Sequence, residues 1–475
     1  MTVTAQSPRA GAATQERRQP LAVPGAAMLD LPTPASADRR SRGADLLQAS
    51  VWLAAVAGIA FMIQSGAFLD AGVWGWLSMI SRALGIVAAV MMLAQLLLAS
   101  RAPWIDRVIG HDKAIMLHTE YGVTSVVVML LHVGTVAVVD AQLAGSNPAS
   151  QLLAYWSYDW FMAWALVSLA AILVVLVTSF ASARARIPYH RWHAVHLLSY
   201  VGIALAVPHQ FLQGATFRSM GVAWYFWFVL WAGAGSAFLL WRVVKPILVN
   251  RRQRLRVDAV RRESDGSVTI TLGGAAIPRM GAQAGQFINV AFGRAAFLKE
   301  MHPYSLSAAP GETLRITVKP LGDASSALVD LTPGTAAWIE GPLGIFTHEQ
   351  RTGRDLLLVG AGIGVTPLRS LLEDAPAYGA ISVVVRGRSR EEVPLIDEIE
   401  HLSALRGARY AALLGGRGST WGTKARPVTL VGAVARPGDT DLYICGPVAW
   451  GRQVEADARA AGIPAHAIHR EEFAW

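Results

Sequence analysis

The sequence predicts a multidomain membrane protein, in which a six-helix transmembrane bundle precedes a small antiparallel β-barrel and an α/β domain with a parallel sheet. Three observations predict it. Residues 47–245 hold six apolar runs, roughly 48–68, 73–99, 115–139, 158–181, 193–213 and 222–244, each near the ~20 residues that span a bilayer as a helix. Residues 254–350 break into short strand-like stretches punctuated by Gly and Pro. From residue 354, apolar strands alternate with helical patterns.

The composition mixes two halves. The chain is 53% hydrophobic and 16% charged, against about 25% charged in ordinary soluble proteins, and the deficit lies in residues 47–245. The first 46 residues, rich in Ala, Pro, Arg, Ser and Gln without an apolar core, are expected to form a disordered cytoplasmic tail. The expected domains are therefore 1–46, 47–246, 250–350 and 354–475. Net charge is +9, but the cations sit at the edges of the apolar runs, which is a signature of topology rather than of a nucleic-acid surface. Arg39, Arg40 and Arg42 precede the first run. Arg101, Arg107 and Lys113 separate the second from the third, and Arg184, Arg186 and Arg191 the fourth from the fifth. Arg242, Lys245, Arg251, Arg252, Arg254 and Arg256 follow the sixth. The opposite loops carry Asp70, Asp140, Asp159 and the lone cation Arg218. Both termini are thus expected in the cytoplasm. Cys445 is the one cysteine, which excludes an internal disulfide and an iron–sulfur cluster held by four thiolates of this chain.

In the second half, SVTITL at 267–272, QFINVAF at 286–292, TLRITVKP at 313–320 and AAWIEGP at 336–342 read as barrel strands. DLLLVGAG then leads into a helix, PLRSLLED, and ISVVVRGR into EEVPLIDEIEHLSAL, the alternation of a parallel sheet with crossover helices.

Seven of the twelve His fall between residues 111 and 209, and ionisable groups inside a span are costly enough to signal function. His118 and His132 lie 14 residues apart in the third run. That returns them to nearly the same helix face, about 21 Å apart along the axis. His196 and His209 lie 13 residues apart in the fifth. An ideal helix would set them about 140° apart, but Pro208 can bend or rewind it. If the two helices run the same way, His118 faces His196 near the cytoplasm and His132 faces His209 near the outer side. Each pair can then supply both axial imidazoles of a haem b. Hydrogen bonding across helices is the bland alternative for a single membrane His. His111, His190 and His193 are expected at the interface, and Arg82 either snorkels or meets a haem propionate.

HPYSLSAAP at 302–310 resembles the flavin motif of the ferredoxin–NADP reductase superfamily, in particular its ferric reductase and NADPH oxidase branch. The resemblance spans about residues 47–475, including the six-helix domain and its four His. It implies an FAD-binding barrel in which the motif His302, Pro303, Tyr304, Ser305 and Ser307 holds the flavin, with His302 and Tyr304 touching FAD and Ser305 bonding its ring. In KPLGDASSAL, Gly322 and Ser325 stand where a helix begins and its amides favour a pyrophosphate, with Lys319 adding charge. GPLGIF at 341–346 brings the chain close to the cofactor. In GAGIGVTPL, Gly360, Gly362 and Gly364 form a turn between strand and helix that lets a pyrophosphate approach, and Thr366-Pro367 matches the nicotinamide motif of the resembled family. The resemblance also puts Cys445 beside the nicotinamide, with Gly446 and Pro447 shaping the pocket; a buried structural Cys is the alternative. Arg386, Arg388 and Arg417 follow two strands, and the Arg fork suits the 2′-phosphate of NADPH over NADH. The chain ends EEFAW. In NADPH oxidase relatives a C-terminal aromatic stacks on the flavin; Phe473 matches its place, and Trp475 offers a second ring. Ser305, Cys445 and Phe473 are thus the residues expected at the reacting ring.

The expected order of transfer is NADPH, FAD, the inner haem, the outer haem and an external acceptor: dioxygen, a ferric chelate, a quinone or a partner protein. The resemblance and the lack of a targeting peptide point to the bacterial inner membrane. Two rivals are a transporter or channel with a nucleotide-sensing domain, and a membrane-anchored flavin reductase without haem. The first does not account for paired His followed by flavin motifs, and six helices are more than the anchor of the second requires.

Overall fold

The computed structural model describes residues 34–66, 72–109, 111–184, 186–187, 189–218, 221–293, 301–376 and 378–472. Six of its helical segments are long and apolar enough to cross a membrane. The first is α1 (Pro34–Gln64), which starts inside the stretch expected as a tail; Pro is compatible with a first helical turn. Then come α2 (Val73–Ala99), the short α3 (Pro103–Ile109), α4 (His111–Leu143), α5 (Pro148–Tyr158), α6 (Trp160–Ser179) and the single turn α7 (Ala181–Arg184). The fifth run comprises α8 (Tyr189–His196) and α9 (Leu198–Leu212), which join through Leu197, whose backbone stays right-handed and whose N bonds His193 O at 3.0 Å. Pro208 sits inside α9 close to its end.

The sixth span, α10 (Val222–Phe238), passes through a π turn at Leu239–Val244 into α11 (Lys245–Gln253). The extra residue of a π turn accommodates the break in hydrogen bonding at Pro246. The helix thus runs past the expected end at 244 and stops where Arg254 takes a left-handed conformation, φ 46°. In the bundle α2 lies along α4 and α6 along α9. Close approach needs small residues: a Cβ at Gly202 would sit 2.9 Å from Ile172.

The barrel consists of two three-stranded antiparallel sheets. One is β1 (Arg256–Arg262), β2 (Val268–Gly273) and β5 (Thr313–Val318). The other is β4 (His302–Ser305), β3 (Phe287–Phe292) and β6 (Ala337–Leu343). Isolated bridges Arg256↔Ala336 and Leu306↔Ile316 join them around a core that includes Val257, Ile270, Ile288, Leu314 and Ile339. β1 and β4 are additions to the expected strands. β1 is Arg-rich and mostly exposed, and β4 contains Pro303, which strands tolerate at an edge; β4 is an edge strand. After β5 comes a four-residue helix, α12 (Asp323–Ser326).

The α/β domain is a parallel sheet ordered β11-β10-β7-β8-β9, from β7 (Asp355–Ala361), β8 (Ile381–Gly387), β9 (Arg409–Leu414), β10 (Thr440–Gly446) and β11 (Ile468–Glu472). Side chains of β7 alternate between two cores. Leu356 and Leu358 face α13 (Val365–Glu373), and Leu357 and Val359 face α15 (Val448–Ala460). The helix expected from Glu391 begins later, as α14 (Ile396–Leu405), with Leu395 at φ 54° before it. Pro394 disfavours helical backbone at Val393.

Candidate functional site

The membrane half brings the four predicted His into two groups on α4 and α8–α9. The His118 and His196 rings have centroids 6.1 Å apart. Two imidazoles on opposite sides of one metal stand about 6 Å apart, from two metal–nitrogen bonds of about 2 Å and about 1 Å from nitrogen to each ring centre. The Trp192 ring stacks on His196 at 4.9 Å, and the Arg184 guanidinium lies 4.6 Å over Trp192. His209 is within electrostatic reach of His132. Ser81 of α2 supports His132: its carbonyl accepts from Nδ1 at 2.7 Å. A carbonyl can only accept, so Nδ1 carries the proton and Nε2 keeps the lone pair a metal needs. Gly85 makes room, since a Cβ there would lie 2.9 Å from the His132 ring. Nδ1 of His118, His196 and His209 is buried without a hydrogen-bond partner of ordinary geometry. Among the described residues no cluster of three or more His, Cys, Asp or Glu gathers for a bare metal ion. The separation of the His118 and His196 rings fits two ligands of one haem iron. Sequence reasoning missed Ser81 and Gly85; small residues on the packed face of α2 were the available signal.

In the barrel, β4 pairs with β3, setting Tyr304 opposite Ile288 and Ser305 opposite Phe287. Ser305 is buried and its Oγ has no partner, an orphaned hydroxyl that fits a flavin ring as hydrogen-bond partner. Burial pushes the Tyr304 phenol up to about 12, so it stays protonated. Pro303 lies opposite Asn289, and His302, half-buried, opposite Val290. Ser307 corrects the expectation. It is fully buried and its Oγ accepts from Thr317 Oγ1 at 2.9 Å inside the barrel, which makes it a core hydroxyl. Gly322 and Ser325 cap α12, but Ser325 Oγ already takes the amides of Leu321 and Gly322, both at 3.0 Å. Lys319 Nζ donates to the Glu392 carbonyl at 3.2 Å, across to the α/β domain.

The nicotinamide motifs converge. β7 and β10 are neighbours with Cys445 opposite Gly360, and the chain leaves β7 for β8 on one side while β10 lies on the other. The crevice beyond the carboxyl ends of such strands is the switch point where open α/β sheets bind ligands. Gly362, at φ 57°, turns the chain there. Gly364 lies against Cys445, so that a Cβ would meet its carbonyl oxygen at 2.4 Å. Thr366 Oγ1 donates to Ile363 O at 2.9 Å, and Pro367 lies buried in the first turn of α13. Cys445 is fully buried, while Gly446 and Pro447 lead into α15. Arg386 departs from the expected role. Its Nε donates to Gly422 O at 3.2 Å and Nη1 to Leu413 O at 3.3 Å and to Gly387 O, so it braces the loop after β9. Arg388 and Arg417 are exposed at the ends of β8 and β9. On β11, Glu471 and Glu472 lie opposite Cys445 and Gly446. Phe473 and Trp475, next in the chain, lie outside the described residues.

Residues 84–207 match the family model described as "Ferric reductase like transmembrane component". The chain is 29% identical over 211 residues to ferredoxin–NADP reductase B of Sorangium cellulosum, covering 40% of this chain and 85% of that protein. It is 30% identical over 213 residues to a flavohemoprotein of Xylella fastidiosa, covering 42% of this chain and 52% of that one. The chain spans about half the length of several relatives it matches. The FAD/NAD-binding domain of nitric oxide dioxygenase from Vibrio cholerae aligns at a TM-score of 0.40 with 23% identity, covering 47% of this chain and 99% of that one. The chain thus matches a ferric reductase like transmembrane family model over residues 84–207 and is similar, over about 40% of its length, to a ferredoxin–NADP reductase and a flavohemoprotein.

Proposed function

We propose that the protein is a transmembrane NAD(P)H oxidoreductase that moves electrons from cytoplasmic NADPH, through FAD and two b-type haems, to an acceptor on the outer side, dioxygen or a ferric chelate. The observation that carries this reading is the pairing of His118 with His196 at 6.1 Å between ring centres, with His132 further along the same helix, in a chain that also assembles a nicotinamide switch point. Bound FAD supplies the conversion of a hydride pair into single electrons, and bound haem carries them singly.

The chain's own residues do the rest. His118 and His196 hold the inner iron, and His132 and His209 the outer. Ser81 fixes the tautomer of His132. Ser305 offers its unpartnered hydroxyl to the flavin ring, and Tyr304 presents a protonated phenol. Gly360, Gly362 and Gly364 let a dinucleotide approach, and Cys445, Gly446 and Pro447 wall the pocket where hydride leaves. Arg388 and Arg417 provide the cations that favour the 2′-phosphate of NADPH. Both termini then lie in the cytoplasm of a bacterium whose inner membrane holds the bundle.

The test is the absorption spectrum of detergent-purified, haem-supplied protein before and after anaerobic NADPH. A flavin band together with low-spin b-type bands that sharpen on NADPH is expected. Flavin without haem in well-folded protein would refute the reading.

A further inference from the structure

Where the membrane helices meet the barrel, the contacts converge on β6. Glu340 is 8% exposed, and a carboxylate is buried to this extent only when it is paired. Arg242 Nη1, in the π turn, donates to Oε1 at 2.7 Å. Arg101, directly after α2, donates to Oε2. Asn289 Nδ2 of β3 adds a 3.4 Å contact. Burial would raise the Glu340 carboxyl, but Arg101 and Arg242 outweigh it and hold the group below the usual carboxylate range.

One residue earlier, Asn250 of α11 grips β6 by its backbone. Asn250 Oδ1 accepts from Ile339 N at 2.7 Å, and Nδ2 donates to Ile339 O at 2.6 Å. The side-chain amide thus imitates a neighbouring strand. α2, which Arg101 follows, lies along α4, the helix of His118. On the other side, β6 pairs through β3 with β4, which carries His302–Ser305. An unbroken series of contacts therefore links the helix of an inner iron ligand to the flavin strand. A buried ion pair adds little net stability over an apolar contact, and its best-attested use is to fix register.

We propose that Glu340 and Asn250 are positioning residues. They lock the flavin barrel against the cytoplasmic ends of α2 and the last membrane helix, and so set the geometry for electron transfer from the flavin site to the His118/His196 site. This rests on the function proposed above.

The test uses the full chain loaded with FAD and haem and mixed anaerobically with NADPH, with flavin and haem bands followed separately. Glu340→Gln is expected to leave flavin reduction within about twofold and to slow haem reduction about tenfold or more, because removing the charge leaves Arg101 and Arg242 without their buried partner. Glu340→Asp, which keeps the charge, is expected to recover most of the rate. Asn250→Ala leaves every charge in place and is expected to slow the same step; it decides the matter if Glu340→Gln does not assemble. Hydrogen exchange over residues 337–343 gives a readout independent of cofactors. Asn250→Ala removes the acceptor of the Ile339 amide and should raise exchange there about tenfold or more. Haem reduction at the wild-type rate in an assembled variant, or equal slowing of both steps, overturns the proposal. If the wild-type chain itself shows no NADPH-driven haem reduction, the proposed function fails and the positioning role falls with it.

Discussion

Replacing Gly364 by Ala tests whether the crevice between β7 and β10 is the nicotinamide pocket. The backbone at Gly364 is right-handed, φ −63° and ψ −6°, so alanine suits the conformation and the whole penalty is one of contact. The new Cβ would lie 2.4 Å from Cys445 O, 2.6 Å from Cys445 C and 2.7 Å from Gly446 N, where ordinary contact begins at 3.4 Å. All three are backbone atoms, so no rotamer relieves the clash. The glycine turn and the end of β10 must separate by about 1 Å. Overpacking of this kind costs about 1–3 kcal/mol, less up to about 1 kcal/mol from alanine's lower chain entropy when unfolded. The effect on chemistry is larger. A displacement of about 1 Å between the parts of a binding site costs about a hundredfold in rate, or about 2.7 kcal/mol. The assay is NADPH-driven reduction of a soluble dye by detergent-purified protein with FAD content checked. Gly438→Ala, where an added methyl meets nothing within 4 Å, is the control. A kcat/KM within threefold of wild type in FAD-replete Gly364→Ala protein would show that nicotinamide binds elsewhere.

Three further predictions concern the barrel and the α/β domain. Glu398 of α14 accepts from Arg261 at 2.6 Å and Arg315 at 2.8 Å, both of the barrel, and from Arg369 at 2.9 Å. Burial alone would raise its carboxyl, but hydrogen bonds from Arg315 and Arg261 and the charge of Arg369 hold it at about 2. The folded state therefore favours the carboxylate, and its stabilisation is complete above the unfolded pKa near 4.5 and is lost as pH falls towards about 2. The full shift corresponds to roughly 3 kcal/mol, which solvent screening of this partly exposed group reduces to about 1–2 kcal/mol. Thermal unfolding between pH 6 and pH 3 should flatten in Glu398→Gln, and an unchanged slope would rule out this origin of acid sensitivity. For dinucleotide choice, Arg388→Ala with Arg417→Ala should lower kcat/KM for NADPH about tenfold or more while sparing NADH. Arg386→Ala should instead lower thermal stability by about 1–3 kcal/mol, as it strands the carbonyls that the guanidinium now satisfies. Equal loss with both dinucleotides in the double variant would remove the two cations from the phosphate site.

Local rules carried much of the architecture. Apolar run length located the membrane spans because the bilayer sets a minimum helix length, and α4 keeps its two His in one helix as the 3.6-residue period requires. The misses have physical causes. β4 was hidden by Pro303, which an edge strand tolerates. The helix from Glu391 was overextended because acidic and apolar spacing continues through a Val393-Pro394 pair that helices avoid. Ser307 has the residue type of a flavin ligand and takes a hydrogen bond from Thr317 inside the barrel, and Arg386 has that of a phosphate ligand and sets Nε and Nη1 on three carbonyls.

By itself, the sequence determined most of the helices, strands and glycine turns, and which side chains have the chemistry to hold iron, flavin and dinucleotide. Only the tertiary structure decided which of these meet. The Ser81 carbonyl behind His132, the contact of Gly364 with Cys445, and the burial of Glu340 between Arg101 and Arg242 all join residues distant in the chain. Periodicity encodes the face a residue occupies on its own element; the partner that face meets is set by packing between elements, which no local pattern records.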